Sequence, residues 1–393
     1  MKILIFTTQF YHLGGSERLA VELAETLNHF GIHADILSQY SEDLPGVAQV
    51  TEQLKSCGIP AVLFLNLSVH PRFSSIPGAV SRLHKIVREG HYDLIETSSL
   101  TPSLITGLAL RGTMVRHIVG IHDVFSRDRQ RGLKYQIWRR AMRCNSNNKF
   151  YAISEYTRSC WIEYSGTRTN RTRKVLNGIT DQSFVLEADR IGVRKELGLS
   201  ESSCLLLFVG RLLKRKGIDT LLEAVGPILE KYDAYLLCVG NDSEAPEGFF
   251  SDEIGLLERL HSTLSEEVWG RRVRFLGIRK DVPRLMAACD ALVHPARIEG
   301  FGLVLAEALA AGLPVIASNV QGIPEVLSGT ESLMVPPDDP ISLRVAVLKT
   351  LNRSQVESDQ AIEKGRKRAE SFRTSERTKQ MIKLFEDALS NKF

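Results

Sequence analysis

Short apolar runs punctuate the chain at residues 3–6, 34–37, 61–65, 94–95, 117–121 and 150–153, and stretches with helical spacing such as Leu19, Leu23 and Leu27 lie between most of them. That alternation is the β-α pattern of a parallel sheet covered by helices on both faces. A second series follows at 205–209, 235–239, 273–276, 291–293, 315–317 and 333–335. The pattern predicts an α/β protein of two doubly wound, Rossmann-like domains. The seam is expected between Asn177 and Arg194, where a strand-like 174–176 gives way to Asn177, Gly178 and a polar stretch before a helix-like 193–197. The first domain is therefore set at 1–180 and the second at 181–370. Phe372, Met381, Ile382, Leu384, Phe385 and Leu389 have mostly helical spacing and predict a final helix over 371–389, assigned with residues 371–393 to the first domain, although periodicity does not specify what it packs on.

A length of 393 residues agrees with two domains, and 43% hydrophobic with 24% charged residues is ordinary for a folded globular chain. The opening MKILIF turns polar at Thr7, Thr8 and Gln9, too soon for a signal-peptide core, and no apolar run approaches the ~20 residues that span a bilayer. A cytoplasmic protein is expected. Cys57, Cys144, Cys160, Cys204, Cys238 and Cys289 show no CxxC spacing, so they are expected to be buried thiols in a reducing compartment, with neither zinc nor disulfides. Charge changes the picture more. The net charge is only +4, but residues 111–174 hold 15 Lys or Arg against 4 Asp or Glu, a local +11 that leaves −7 elsewhere.

In open α/β sheets ligands bind outside the carboxyl ends of the strands, so the loops after each run carry the candidate chemistry. The first contains Gly14, Gly15 and Ser16 before a helix, which fits either backbone N–H groups approaching a phosphate or a Gly-rich turn capped by Ser16. It is neither a GxGxxG fingerprint nor a P-loop. The second runs from Val209 through Gly210 and Arg211 to Lys216 and Gly217, and either clamps a diphosphate with Arg211 and Lys216 or is a solvated basic loop. The third carries Glu299 in a Gly-flanked loop and Glu307 about one and a half turns into an Ala/Leu-rich helix beginning near Gly302. A carboxylate on so apolar a helix needs partners, and sugar hydroxyls would supply them; an exposed Glu307 is the alternative.

These features together resemble glycosyltransferase family 4, a retaining group with the GT-B fold, in which two Rossmann-like domains face across a cleft. The resemblance rests on Gly14-Gly15, the 209–217 loop and the Glu-seven residues-Glu spacing of Glu299 and Glu307, supported by His122 after a strand, Ser154, Asn177-Gly178-Ile179, the Gly322 to Glu325 segment and Pro336-Pro337-Asp338. It implies that Arg211 and Lys216, with Gly210 in their loop, bind a donor diphosphate and that Glu307 binds its ribose. Glu299 and Gly300, with the Phe301, Gly302 and Leu303 backbone, would hold the transferred sugar, and residues near Ile278 the base. Gly14 and Gly15 would approach the phosphates from the first domain, and His122 the reacting carbon. The catalytic set so implied is Glu299, His122, Arg211 and Lys216.

The expected reaction moves a hexose-type sugar from a nucleotide diphosphate sugar, UDP by preference, to a glycan or lipid-linked acceptor of a bacterial envelope polysaccharide or lipopolysaccharide. No Asp-x-Asp follows a strand to present a divalent ion, and Asp338-Asp339 is expected in a surface loop, so neither metal nor other cofactor is expected. Two alternatives are a sugar-nucleotide epimerase or other GT-B enzyme, and a silent sugar-nucleotide-binding subunit. Within the basic stretch, Leu133, Ile137, Trp138 and Ala141 share one helical stripe flanked by Lys134, Arg139, Arg140 and Arg143. Residues 111–174 thus predict either docking on an anionic membrane surface or a phosphorylated acceptor, against a helix that packs on its domain with solvated cations. Nucleic acid is not expected, because no recognition module accompanies the charge.

Overall fold

A computed structural model describes residues 1–9, 15–44, 47–68, 73–145, 147–184, 189–240, 255–262 and 264–393. The chain divides into two compact units, one formed by Met1–Gly178 with Thr374–Phe393 and the other by Ile179–Arg373. Sequence pattern set these boundaries at 180 and 371.

In the first unit, β1 (Lys2–Thr7), α1 (Gly15–His29), β2 (His33–Tyr40), α2 (Val47–Ser56), β3 (Val62–Leu67), α3 (Ile76–Gly90), β4 (Leu94–Thr97) and α4 (Leu100–Ala109) follow in turn. They continue as β5 (Arg116–Ile121), α5 (Leu133–Cys144), β6 (Asn148–Ala152), α6 (Glu155–Ser165) and β7 (Thr172–Lys174). Among the described residues the strands form one sheet in the order β3-β2-β1-β4-β5-β6-β7, with parallel pairing throughout. The apolar runs are continuous because both sheet faces are covered. Ile3 and Ile5 pack with Leu23, Leu27, Met381 and Phe385, whereas Leu4 and Phe6, pointing the other way, pack with Leu83, Val87 and Ile105.

The second unit runs α7 (Arg190–Glu196), β8 (Cys204–Val209), α8 (Ile218–Lys231), β9 (Ala234–Val239), α9 (Leu256–His261), β10 (Val273–Phe275), α10 (Val282–Ala288) and β11 (Ala291–His294). Then come α11 (Leu303–Ala311), β12 (Val315–Ser318), α12 (Ile323–Leu327), β13 (Leu333–Val335), α13 (Pro340–Leu351) and α14 (Gln355–Ala369). Its parallel sheet has the order β10-β9-β8-β11-β12-β13. Leu206 and Phe208 of β8 are packed with Leu221 and Val225 of α8 and Leu343 and Val347 of α13.

The last helix, α15 (Thr374–Leu389), belongs to the first unit. The apolar pattern that predicted one helix from 371 is divided between units. Phe372 meets Phe301 edge-on at 5.5 Å within the second, while Met381, Leu384 and Phe385 fill the core of the first. The strand expected at 174–176 pairs instead at Thr172–Lys174, opposite Phe150 to Ala152 of β6.

The stripe predicted along α5 is also divided. Trp138 and Met142 are buried, but Leu133 is 71% and Ile137 40% exposed, because the helix packs by one edge. The thiols depart from expectation as well. All six are free, but Cys57 and Cys144 are exposed and only Cys238 and Cys289 are buried, since the first two sit at or just past the ends of helices α2 and α5. Among the described residues no helix is long and apolar enough to cross a membrane.

Candidate functional site

In each sheet the strand order reverses at one point, between β1 and β4 in the first unit and between β8 and β11 in the second. At such a switch point the two flanking loops part in opposite directions and leave a crevice for a ligand. The 209–217 loop follows β8 and the 295–302 loop follows β11, so Lys216 and Glu299 come from the two sides of one crevice. Close backbone approach holds them there. Gly217 has φ +74°, and a Cβ on it would lie 1.9 Å from the Pro295 carbonyl oxygen. The Arg297 N–H donates to the Arg215 carbonyl at 3.0 Å. A Cβ on Gly322 would stand 2.0 Å from the Gly300 oxygen, and the Gln321 side chain accepts from the Glu299 N–H at 2.9 Å.

Lys216 Nζ donates to Glu299 Oε2 at 2.6 Å, with only 17% and 15% of the two side chains exposed. His294 Nε2 lies 3.1 Å from the same oxygen. Burial works against ionisation of Glu299, but the Lys216 charge and the His294 hydrogen bond outweigh it and hold the carboxyl well below its ordinary range. Burial likewise lowers the His294 pKa, against the pull of Glu299. A neutral imidazole beside a carboxylate donates from Nε2–H, leaving Nδ1, which is buried without a partner, as an acceptor.

Around this core stand the other predicted donor residues. Arg211 is exposed after Gly210, whose φ is +153°, and Ile278 is 71% exposed beyond β10. Gly300 is half-buried, Phe301 is buried, and Gly302 (φ +87°) caps α11, whose first residue is Leu303. Glu307 is half-buried one turn into that helix, neither fully exposed nor enclosed. The Asp338-Asp339 pair has local partners: Asp338 meets Arg297 at 2.5 Å, and Asp339 accepts from the Ser342 N–H at the start of α13. Among the described residues no three His, Cys, Asp or Glu side chains gather as a metal site.

In the first unit, Gly14 lies outside the described residues. Gly15 opens α1, so Ser16 is inside the first turn rather than its cap, and its hydroxyl donates to Glu17 at 2.9 Å. His122, just past β5, is half-buried and tied to a chain that sequence reading missed. Tyr151 OH donates to Glu96 at 2.8 Å, Ser98 donates to the same carboxylate at 2.6 Å, and His122 Nε2 lies 3.3 Å from the tyrosine oxygen. With the phenol proton committed to Glu96, the tyrosine oxygen accepts from His122 Nε2–H, which leaves Nδ1 as an acceptor. Burial, then the Arg377 charge, push the His122 pKa down to about 3, so the ring is neutral. Burial raises the Glu96 pKa against the hydrogen bonds from Ser98 and Tyr151 and the charge of Arg377. Arg377 reaches in from α15, 3% exposed, and donates to the Leu19 carbonyl at 3.1 Å. Gly120 must be glycine here, because a Cβ would lie 2.6 Å from the Tyr151 oxygen and 2.9 Å from His122.

Two family models match complementary stretches, "Glycosyltransferase Family 4" at residues 13–183 and "Glycosyl transferases group 1" at 203–353. Among curated proteins, the chain is 32% identical over 160 residues to the N-acetyl-alpha-D-glucosaminyl L-malate synthase of Bacillus anthracis, covering 41% of this chain and 39% of that protein. It is 36% identical over 131 residues to the lipopolysaccharide glucosyltransferase WaaG of Escherichia coli K12, covering 33% of this chain and 32% of that one. Each match thus spans under half of the relative's length. Among solved structures, Anabaena HepE in complex with UDP-glucose superposes with a TM-score of 0.82 over 98% of this chain and 100% of that one, at 20% identity, and so shares the fold. With its two parallel-sheet units, each carrying one half of the family signature, the chain belongs to the GT-B glycosyltransferases of family 4.

Proposed function

We propose that this glycosyltransferase moves a hexose-type sugar from a UDP-sugar to a glycan or lipid-linked acceptor in bacterial envelope polysaccharide or lipopolysaccharide synthesis, with retention of configuration and without a metal. The observation that carries the reading is the Lys216–Glu299 pair at the β8/β11 switch point. The lipopolysaccharide glucosyltransferase activity of WaaG and the UDP-glucose held by HepE support the choice of acceptor class and donor.

The chemistry follows from charge. Breaking a glycosyl phosphate bond builds negative charge on the departing diphosphate, and a preorganised cation in a partly buried site stabilises it without reorganisation. Lys216 has three N–H donors, so it can keep Glu299 and still meet a phosphate oxygen, and exposed Arg211 adds a second cation. Glu299 stays ionised and accepts from a sugar hydroxyl. A carboxylate stabilised this strongly is a weak nucleophile, which favours same-face attack, the leaving phosphate oxygen taking the acceptor's proton, over a covalent glycosyl-Glu299 intermediate. His122, neutral and anchored through Nε2, offers Nδ1 to a hydroxyl near the reacting carbon.

A panel of UDP-, GDP- and ADP-sugars assayed by released nucleotide tests the donor, with UDP-hexose expected to turn over fastest. Activity should survive EDTA; complete loss restored by Mg²⁺ or Mn²⁺ would overturn metal independence. The protein works on the cytoplasmic side of the membrane and docks there peripherally. Leu133 and Ile137, exposed on α5 in one groove with Arg139, Arg140 and Arg143, support that docking. Flotation with liposomes should then rise with anionic lipid content, and flotation indifferent to it would remove the membrane from the proposal.

A further inference from the structure

The first unit contains a cavity of about 220 Å³ beside His122, bounded by the β4-α4 turn, the end of β5 and one edge of α5. Its polar groups include Ser98, Ser99, Ser103 and Asp123, and its apolar wall includes Trp138, against which Phe125 stacks at 5.2 Å. Three observations limit what can occupy it.

The first is charge. In a chain segment crowded with arginine, no Lys or Arg appears among the described residues that line this cavity, and Asp123 is the one carboxylate. The cations of α5 lie in a separate groove with Leu133 and Ile137, lined by Arg139, Arg140 and Arg143. One helix therefore divides a cavity without lysine or arginine from a basic groove. An anion in the cavity would lose its water and meet a carboxylate instead of a cation.

The second is the supply of partners for hydroxyls. Ser99 accepts from Thr8 at 3.0 Å and keeps its own proton to donate, and Gln130, whose carbonyl oxygen accepts from the Ser126 N–H at 2.8 Å, keeps its amide N–H groups. The third is size. The cavity is smaller than the roughly 300–1,000 Å³ of pockets that hold drug-sized ligands, which suits one sugar ring.

We infer that this cavity binds the reacting ring of the acceptor and that this ring is an uncharged pyranose, its hydroxyls meeting the serines and Gln130 and its C–H face lying on the aromatic wall. The identification of the occupant as an acceptor rests on the glycosyltransfer reading above; the chemical class rests on the cavity. Any phosphate on the acceptor sits outside this ring, toward the basic groove.

The test is saturation-transfer NMR on the full chain with two sets of probes: methyl glucoside, galactoside and mannoside against methyl glucuronoside and glucose 6-phosphate. At least one neutral glycoside should bind, at least about tenfold tighter than either anion. Ser99→Ala should weaken that binding several-fold. Asp123→Lys changes an exposed residue and so spares the fold; it should reverse the preference toward the anions. Equal or tighter binding of the anions to the unaltered protein, no binding by any neutral glycoside, or neutral binding unmoved by both substitutions would overturn the inference. UDP titrated into the same samples separates the two readings, because failure of UDP to bind removes the donor assignment and leaves the sugar-binding result standing.

Discussion

The two units share one architecture and set electrostatically different groups near their switch points. At the β8/β11 crevice an ammonium and a carboxylate stand 2.6 Å apart, with a histidine on the same oxygen. Beside the β1/β4 crevice, the groups around His122 are a phenol, a serine hydroxyl and a carboxylate sunk behind them. On the proposed reading the first arrangement meets charge and the second orients uncharged hydroxyls. A Rossmann-like sheet thus supplies only the position of a site, and a few loop residues decide what kind of ligand it receives.

The contrast breaks most sharply at Lys216. Lys216→Ala should lower kcat/KM for the donor by about 10²–10³-fold, measured by nucleotide release, because the departing diphosphate loses its partly buried cation. The same change strands Glu299, so a thermal melt must accompany the assay, and breaking such a pair costs about 3–5 kcal/mol. Glu299→Gln keeps the shape and should cost about ten- to a hundredfold in turnover, as for a lost hydrogen bond to a charged group of about 1.5–3 kcal/mol. Near-normal turnover would remove Glu299 from any direct role.

In the first unit, Tyr151→Phe should reduce kcat by up to about tenfold and leave the donor KM unchanged, since it frees His122 from its anchor without touching the crevice of the second unit. An unchanged kcat would mean that the relay only fills space.

The smallest effect is on pH. His117, buried between Thr97 and Asn148, has its pKa lowered by burial to about 4, and His122 is lowered to about 3. Unfolded histidines titrate near 6.5, so between pH 6.5 and 4 the unfolded chain binds more protons than the folded one, and stability falls as pH falls. The melting temperature of the first unit should drop gradually between pH 7 and 5, followed by the fluorescence of Trp138 and Trp161, while activity shows no histidine limb near 6.5 that tracks His122.

Much of this was legible along the chain, for identifiable reasons. Strands such as β8 could be read because a sheet covered on both faces makes an unbroken apolar run. Lys216 and Glu299 could be read because loops after strands are where ligands sit, although their direct pairing could not. Glu96, Tyr151 and Arg377 went unread because they come from two strands and a distant helix that only the folded sheet brings together. Faint signals existed: Glu96 is a carboxylate within the buried strand Leu94–Thr97, and Arg377 stands four residues before Met381, on the apolar stripe of α15. The stripe on α5 misled because periodicity tells which residues share a face, not how much of that face is covered.

The return of α15 to the first unit also sets an order of events during synthesis. The sheet of that unit emerges from the ribosome with one face lacking Met381, Leu384 and Phe385, and it must wait for the whole of 179–373 to be made before the last helix arrives. The second unit, continuous in sequence, has no such wait. The second unit can therefore finish folding while the first still waits for a helix that follows it in the chain.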